Sequence, residues 1–166
     1  MKRAVKPESP DAKAPTAYAK GLGLLARREH SARELKIKLS ARGHSAATSA
    51  EAIGKLKERK YQDDGRFAQS LARRRSSQGY GPHRIRAELK SHGIDEAAIR
   101  TAIASVDADW ASMAASQLSR RFGATPAKDP TERARRAQFL LRRGFDPATV
   151  RAATRVEVED PGDEFD

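Results

Sequence analysis

The sequence contains no cysteine, no long apolar run and few aromatic residues. Without cysteine there are no disulfide bonds and no thiolate metal ligands. No stretch approaches the roughly 18 apolar residues of a membrane-spanning helix, and the basic N-terminus lacks the apolar core of a signal peptide. We therefore expect a cytoplasmic protein that does not contact the membrane.

Apolar residues make up only 38% of the 166 residues, and the aromatic residues are five Phe, three Tyr and one Trp. This is too lean for one thick globular core, but it is sufficient for thin helical layers that share apolar faces. No segment shows the alternating pattern of a strand, so the predicted class is all-α. The aromatic residues at element ends, such as Tyr61 and Phe67, are expected to be core or turn anchors.

The positive charge of the chain is unevenly placed. The formal net charge is +11, yet residues 157–166 hold six acidic residues and neither Lys nor Arg. Without those six the formal charge is 33 − 16 = +17. A body this basic predicts a polyanionic partner, either nucleic acid or an acidic protein surface.

A repeated phrase divides the chain into three similar parts. Leu-Ala-Arg-Arg begins at Leu25 and Leu71, and Leu-Ser-Arg-Arg begins at Leu118, so the spacings are 46 and 47 residues (71 − 25 and 118 − 71). Helical apolar patterns that end in glycine and a bulky residue recur in parallel. Their glycines are Gly43, Gly93 and Gly144. Such periods predict three tandem three-helix repeats that form an elongated, curved helical solenoid.

The predicted boundaries follow the repeats and the composition of the two ends. Residues 1–16 are predicted to be a disordered basic, proline-rich leader, and residues 156–166 an acidic disordered tail. The predicted repeats cover residues 17–60, 61–107 and 108–155.

Capping residues mark where helices begin. Ser31 with Glu34 fits a capping box, in which hydroxyl and carboxylate each satisfy a free backbone N–H. Either Asp63 or Asp64 can cap the next repeat's first helix. The two adjacent carboxylates also suit Mg²⁺, but capping is the simpler interpretation.

Catalytic motifs are missing from the sequence. It has no phosphate-binding glycine loop, no His-Glu-x-x-His and no plausible Ser, His and Asp set. The histidines lie near helix ends in different repeats, so we interpret them as solvated or half-buried loop residues rather than metal ligands. They are His30, His44, His83 and His92. We predict a protein that is not an enzyme and needs no cofactor or metal.

Arginines recur at equivalent places in the repeats, and few acidic residues on the same helices neutralise them. A charge run is usually a solvated face, but an unpaired stripe repels itself unless it meets a polyanion. Any DNA contact is expected with phosphates, without sequence readout. The predicted contact residues are Arg27, Arg28, Arg73, Arg74, Arg84, Arg86, Arg120, Arg121 and Arg143.

Several segments resemble the RecX family of bacterial regulatory proteins, which act on the RecA recombinase. The similar segments are residues 24–31 with 34–35, 61–68, 79–82 with 84–86 and 88–89, 121–123, and 138–140 with 143–145. The resemblance covers about residues 17–153. Departures are small: Gly65 stands where the family usually has an acidic residue, and residues 77–78 where a basic one is common.

The resemblance implies an elongated protein of three tandem three-helix repeats. It also implies binding in the groove of the filament that RecA forms on single-stranded DNA, which blocks filament growth or promotes disassembly. Inhibition of strand exchange, ATP hydrolysis and coprotease activity would follow, in DNA repair and the SOS response. We expect a monomer.

Other function classes stay open. A sequence-nonspecific architectural protein for single- or double-stranded DNA would use the same arginines. A helix-turn-helix reader fits less well, because such readers usually dimerise and project one recognition helix, whereas the basic residues recur in all three repeats. An enzyme is a distant third. The acidic tail is either a solubilising segment or a competitor that folds back onto the basic face.

Overall fold

The computed structural model describes residues 15–155, and all of its regular elements are helices. The all-α prediction is confirmed. Most of the predicted leader and all of the predicted tail lie outside the described residues. The helices are α1 (Ala17–Leu25), α2 (Ala32–Ser40), α3 (Ala46–Glu58), α4 (Asp64–Ser77), α5 (Pro82–Ser91), α6 (Glu96–Ala104), α7 (Trp110–Phe122), α8 (Pro130–Arg142) and α9 (Pro147–Thr154).

The helices pack in consecutive groups of three, each around its own apolar core. Unit 1 is α1–α3, unit 2 is α4–α6 and unit 3 is α7–α9. The prediction of three tandem three-helix repeats is confirmed. Large apolar residues of the three cores are Leu35, Leu39 and Leu56 in unit 1, Phe67, Ile85 and Leu89 in unit 2, and Leu118, Leu140 and Phe145 in unit 3.

The longest helix of residues 15–155 is α4, with 14 residues. Across this described range, none of the helices combines the length and the apolar character that crossing a membrane requires.

Helix starts follow the predicted capping chemistry, with one correction. The Ser31 hydroxyl accepts from the Glu34 N–H at 3.0 Å, and the Asp63 carboxylate accepts from the Arg66 N–H at 2.9 Å. The second half of the predicted capping box is wrong. The Glu34 carboxylate turns to Arg28 and Lys38 instead, because two cations attract it more strongly than one backbone N–H.

Two side chains differ from their sequence-based interpretation. His30 is only 2% exposed rather than a solvated loop residue, because it lies where units 1 and 2 meet and its Nδ1 bonds the Arg28 carbonyl at 3.0 Å. Tyr61 is 48% exposed rather than an anchor, because the aromatic core position of unit 2 is filled by Phe67.

The second helices of neighbouring units meet end to end. The C-terminal end of α5 lies against the N-terminal end of α2, where His92 Nδ1 is 3.4 Å from the Ser31 hydroxyl. The C-terminal end of α8 lies in the same way against the N-terminal end of α5. The glycine that ends each second helix has a left-handed conformation, with φ of 85°, 76° and 82°. These glycines are Gly43, Gly93 and Gly144.

Units 2 and 3 are joined by backbone hydrogen bonds at very close range. The Gly81 N–H donates to the Arg143 carbonyl at 2.9 Å, and the His83 N–H donates to the Gly144 carbonyl at 3.0 Å. A Cβ added to Gly144 would overlap the backbone nitrogen of Arg84. Both its conformation and its surroundings therefore require glycine at this position.

Units 1 and 2 are joined by side chains. Asp64, the first residue of α4, accepts from the Ala32 N–H at 2.8 Å and from Gln62 Nε2 at 2.9 Å. Gln62 Nε2 also donates to the His30 carbonyl at 3.1 Å. The two junctions thus occupy equivalent places but use different chemistry.

Replacing Gly144 by alanine is expected to lower the free energy of unfolding by about 3 kcal/mol or more, because the new Cβ meets the Arg84 backbone and the conformation is strained. Gly43→Ala is the matched control. It has a φ of +85° and nothing within 4 Å of its added Cβ, so only the backbone strain of about 1–2 kcal/mol remains. Urea denaturation measures the free energy of unfolding of both variants. Equal losses of this free energy would contradict the close packing of Gly144 against Arg84.

Candidate functional site

The predicted contact arginines that are equivalent in sequence differ in local structure. α1 has nine residues whereas α4 has 14, so Arg27 and Arg28 lie in the loop after α1, while Arg73 and Arg74 lie inside α4. Arg120 and Arg121 lie in the last turn of α7. The repeated phrase therefore lies near the C-terminal end of each first helix without fixing how each guanidinium is presented.

Some of these arginines are fully available to a partner. Arg27, Arg73, Arg74 and Arg120 are exposed, and within residues 15–155 their side chains donate no hydrogen bond and form no ion pair. An exposed guanidinium without a carboxylate partner has five donors free for phosphate or carboxylate groups. Each of the three units contributes at least one such group.

Other predicted contact arginines are paired within the chain. Arg28 forms a two-point ion pair with Glu34, and Arg86 is paired with Glu96 at the start of α6. The expectation of few neutralising acids is wrong at these two positions. The reason is that the acidic partners come from other helices, where a pattern read along one helix cannot show them.

The ring of Tyr80 gathers three guanidinium groups at the boundary of units 2 and 3. Arg75, Arg84 and Arg143 lie 5.8, 5.0 and 5.3 Å from its centroid. Arg75 is held by Glu88 at 2.7 and 2.6 Å. Among the described residues Arg84 and Arg143 have no carboxylate partner, so this cluster keeps two positive charges.

Arg143 also holds units 2 and 3 together. Its Nη1 donates to the carbonyls of Gln78 and Gly79 at 3.0 and 3.3 Å. Its guanidinium lies 5.2 Å from the centroid of Phe139 in addition to its contact with Tyr80. Such cation–π contacts contribute roughly 0.5–2 kcal/mol each, so Arg143 is partly committed to the junction.

A small depression between units 1 and 2 brings Arg28 and Arg74 to one surface. Phe67 and Glu29 also line it. Glu29 Oε1 accepts from Arg66 at 2.9 Å, whereas its buried Oε2 has no hydrogen-bond partner. The structure therefore joins predicted contact arginines of units 1 and 2 on one surface, around an acidic floor that the sequence did not reveal.

Charge is tightly organised around Glu34. Burial raises the pKa of this carboxyl, but hydrogen bonds from Arg28 and Lys38 outweigh it and bring the pKa to about 2. Lys38 Nζ also lies 3.2 Å from His30 Nε2. Burial lowers the pKa of His30, which keeps the imidazole neutral beside these cations.

The described range contains no group of three or more His, Asp or Glu side chains that could hold a metal ion. Asp63 caps α4, while Asp64 turns away to Ala32 in unit 1, so the two adjacent carboxylates serve different helices. This favours the capping interpretation over a Mg²⁺ site.

Sequence reasoning missed the residues that join the units. The sequence-based interpretation gives Asp64 the role of a cap of its own helix or of a Mg²⁺ ligand, and it counts Tyr80 among the aromatic core or turn anchors. For Tyr80, the available signal was a bulky aromatic residue inside the Gly79–Pro82 turn. No local signal pointed from Asp64 to Ala32, which is 32 residues away.

Three family models match the chain in order. The first three-helix domain of RecX matches residues 17–56, the second matches residues 63–103 and the third matches residues 107–154. The chain belongs to the RecX family. The resemblance drawn from separate motifs is thereby confirmed.

Curated relatives support the assignment over most of the chain. Regulatory protein RecX of Stenotrophomonas maltophilia strain K279a is 47% identical over 145 residues, which cover 87% of this chain and 89% of the relative. Regulatory protein RecX of Xanthomonas campestris pv. campestris strain B100 is 46% identical over 145 residues, covering 87% and 90%. These relatives are named as regulatory proteins rather than as enzymes.

Solved RecX structures share the fold. A crystal structure of regulatory protein RecX has a TM-score of 0.71 at 23% identity, covering 84% of this chain and 70% of that one. RecX from Lactobacillus salivarius has a TM-score of 0.68 at 22% identity, covering 84% and 92%. At these identities the likeness shows the helical repeat architecture alone.

Replacing Glu34 by glutamine is expected to lower the free energy of unfolding by about 1–2 kcal/mol at neutral pH, because Arg28 and Lys38 lose their shared counter-charge. Since the folded-state pKa of about 2 lies below the ordinary 4.5, this stabilisation is complete above about pH 5 and is lost as pH falls towards 2. Urea denaturation at several pH values measures the difference between variant and wild type.

Glu51→Gln is the control, since the Glu51–Lys55 pair is solvent-exposed and its loss should cause no measurable change. A Glu34→Gln effect that stays constant from neutral pH to pH 2 would contradict the ion-pair origin of the stabilisation.

Proposed function

We propose that the protein is a negative regulator of RecA that binds the filament of RecA on single-stranded DNA through a basic face built from all three units. Binding there blocks filament extension or promotes disassembly, and so inhibits the recombinase, ATPase and coprotease activities. Membership of the RecX family supports RecA as the partner. The mode of binding is supported by the exposed, unpaired arginines, to which every unit contributes.

Several weak contacts on one chain suit a repetitive polyanionic partner. Once one unit is bound, the others meet their sites at high effective concentration, so no single contact has to be tight. Such a protein can act as a monomer, because its three units supply the repeated contacts that a dimer would otherwise provide. The arginines would meet DNA phosphates or acidic side chains of RecA without reading bases.

The nine predicted contact arginines are not expected to contribute equally. Arg28 and Arg86 are already paired with carboxylates, and Arg143 donates to backbone carbonyls. Filament binding has to compete with these internal partners. The other six have no carboxylate partner within residues 15–155 and are expected to contribute more. They are Arg27, Arg73, Arg74, Arg84, Arg120 and Arg121.

The test is the ATPase rate of RecA filaments preformed on single-stranded DNA, with this protein added well below one molecule per RecA protomer. We expect inhibition at these ratios, because one bound molecule blocks a growing end or spans several protomers. An unchanged rate, together with measurable binding to bare DNA, would contradict the proposal and favour a sequence-nonspecific architectural DNA-binding protein.

Charge removal in the same assay locates the contact face. The double variant Arg73→Ala with Arg74→Ala should need about tenfold more protein for equal inhibition, since two unpaired guanidinium groups are lost. Arg100→Ala is the matched control. Arg100 is also exposed in unit 2, but it lies on α6 and is not one of the proposed contact arginines. Equal effects of the two changes would remove α4 from the contact face.

A further inference from the structure

Both junctions between units solve the same physical problem. The first N–H groups of a helix have no partner inside it. At the start of α2, the Ala32 N–H finds the carboxylate of Asp64 in the next unit at 2.8 Å. At the start of α5, the His83 N–H finds the carbonyl of Gly144 in the next unit at 3.0 Å. The second helices of units 1 and 2, α2 and α5, are therefore each capped from outside by the unit that follows.

The two caps differ in rigidity. The Gly144 carbonyl belongs to the backbone, and its residue is packed so closely on Arg84 that no Cβ would fit. The Asp64 carboxylate, in contrast, belongs to a side chain that can rotate. At its junction a Cβ on Gly93 would meet only the Arg33 side chain, at 3.6 Å, which is ordinary contact.

The other bonds across the first junction are also made by side chains. Glu29 pairs with Arg66 at 2.9 Å, and the Ser31 hydroxyl is 3.4 Å from His92. Asp64 is the centre of this group, because it accepts from both Ala32 and Gln62 and its negative charge lies at the positive end of the α2 dipole.

The loop that carries Arg27 and Arg28 ends one residue before this joint, at Ser31. The orientation of unit 1 therefore sets the position of these arginines relative to Arg73 and Arg74 on α4. The depression shared by Arg28 and Arg74 shows that the two groups adjoin in this structure.

We propose that Asp64 is a positioning residue that holds unit 1 against unit 2, and that this junction is a hinge, whereas units 2 and 3 move as one body. Releasing the Asp64 carboxylate from Ala32 lets unit 1 turn and takes its arginines out of line with those of unit 2. The hinge stands on geometry alone; its effect on inhibition rests on the proposed function.

The test uses fluorescence energy transfer, for which the absence of native cysteine is convenient. One labelled pair, Ser40→Cys with Ala104→Cys, reports on units 1 and 2. A second pair, Ala104→Cys with Ala115→Cys, reports on units 2 and 3. All three positions are exposed. The variant is Asp64→Ala, which removes the acceptor.

We expect Asp64→Ala to shift and broaden the transfer distribution of the first pair and to leave that of the second pair unchanged. Asp64→Asn keeps an acceptor and should restore most of the wild-type distribution. Asp63→Asn is the charge-matched control, because asparagine caps α4 as well as aspartate does. An unchanged first pair in Asp64→Ala, or an equal shift in both pairs, overturns the hinge.

A second measurement distinguishes the loss of this one junction contact from a general folding defect. Amide hydrogen exchange in Asp64→Ala should accelerate at Ala32 while the core amides of units 1 and 2 keep their protection. Acceleration throughout both units would mean general destabilisation and would overturn the positioning role.

Inhibition of the RecA ATPase tests whether the hinge affects function. We expect Asp64→Ala to need about tenfold more protein for equal inhibition, since unit 1 no longer binds together with the others. A changed distance with unaltered inhibition overturns the positioning role of Asp64. A wild-type protein that does not inhibit RecA contradicts the proposed function and leaves the hinge to be decided by the distances.

Discussion

The free N–H groups at the starts of α2 and α5 constrain how the three units assemble. A donor that packing removes from water costs more to leave unpaired than an average hydrogen bond gains, so an acceptor from the neighbouring unit stabilises both helix starts. Asp64 and Gly144 supply these acceptors across the two junctions. Because each cap is directional, it fixes the orientation of neighbouring units in a way that thin apolar contacts alone would not.

The proposed basic face depends on this assembly. Arg27, Arg73 and Arg120 belong to different units, so their relative positions are set by the junctions rather than by any one core. Arg143 contributes both to the positive charge and to the second junction. It carries charge beside Tyr80 and donates to a carbonyl that lies across this junction. Stability and charge presentation are therefore coupled most strongly between units 2 and 3.

Periodic and local features could be predicted from the sequence, because they depend on neighbouring residues. The repeat, the Ser31 and Asp63 caps and the left-handed glycines are of this kind. Contacts between helices could not be predicted. Arg86 and Glu96 lie on different helices, and Asp64 reaches Ala32 only after two units have docked. The burial of His30 has the same origin, since the junction that covers it is a product of the fold.

One measurement decides whether a single face formed by all three units meets the filament: arginine-specific chemical footprinting with a dicarbonyl reagent, read by mass spectrometry with and without RecA filaments. We expect Arg27, Arg73, Arg74 and Arg120 to be protected together, while Arg100 on α6 stays reactive. Protection confined to one unit, or protection of Arg100 equal to that of the others, would contradict a shared basic face.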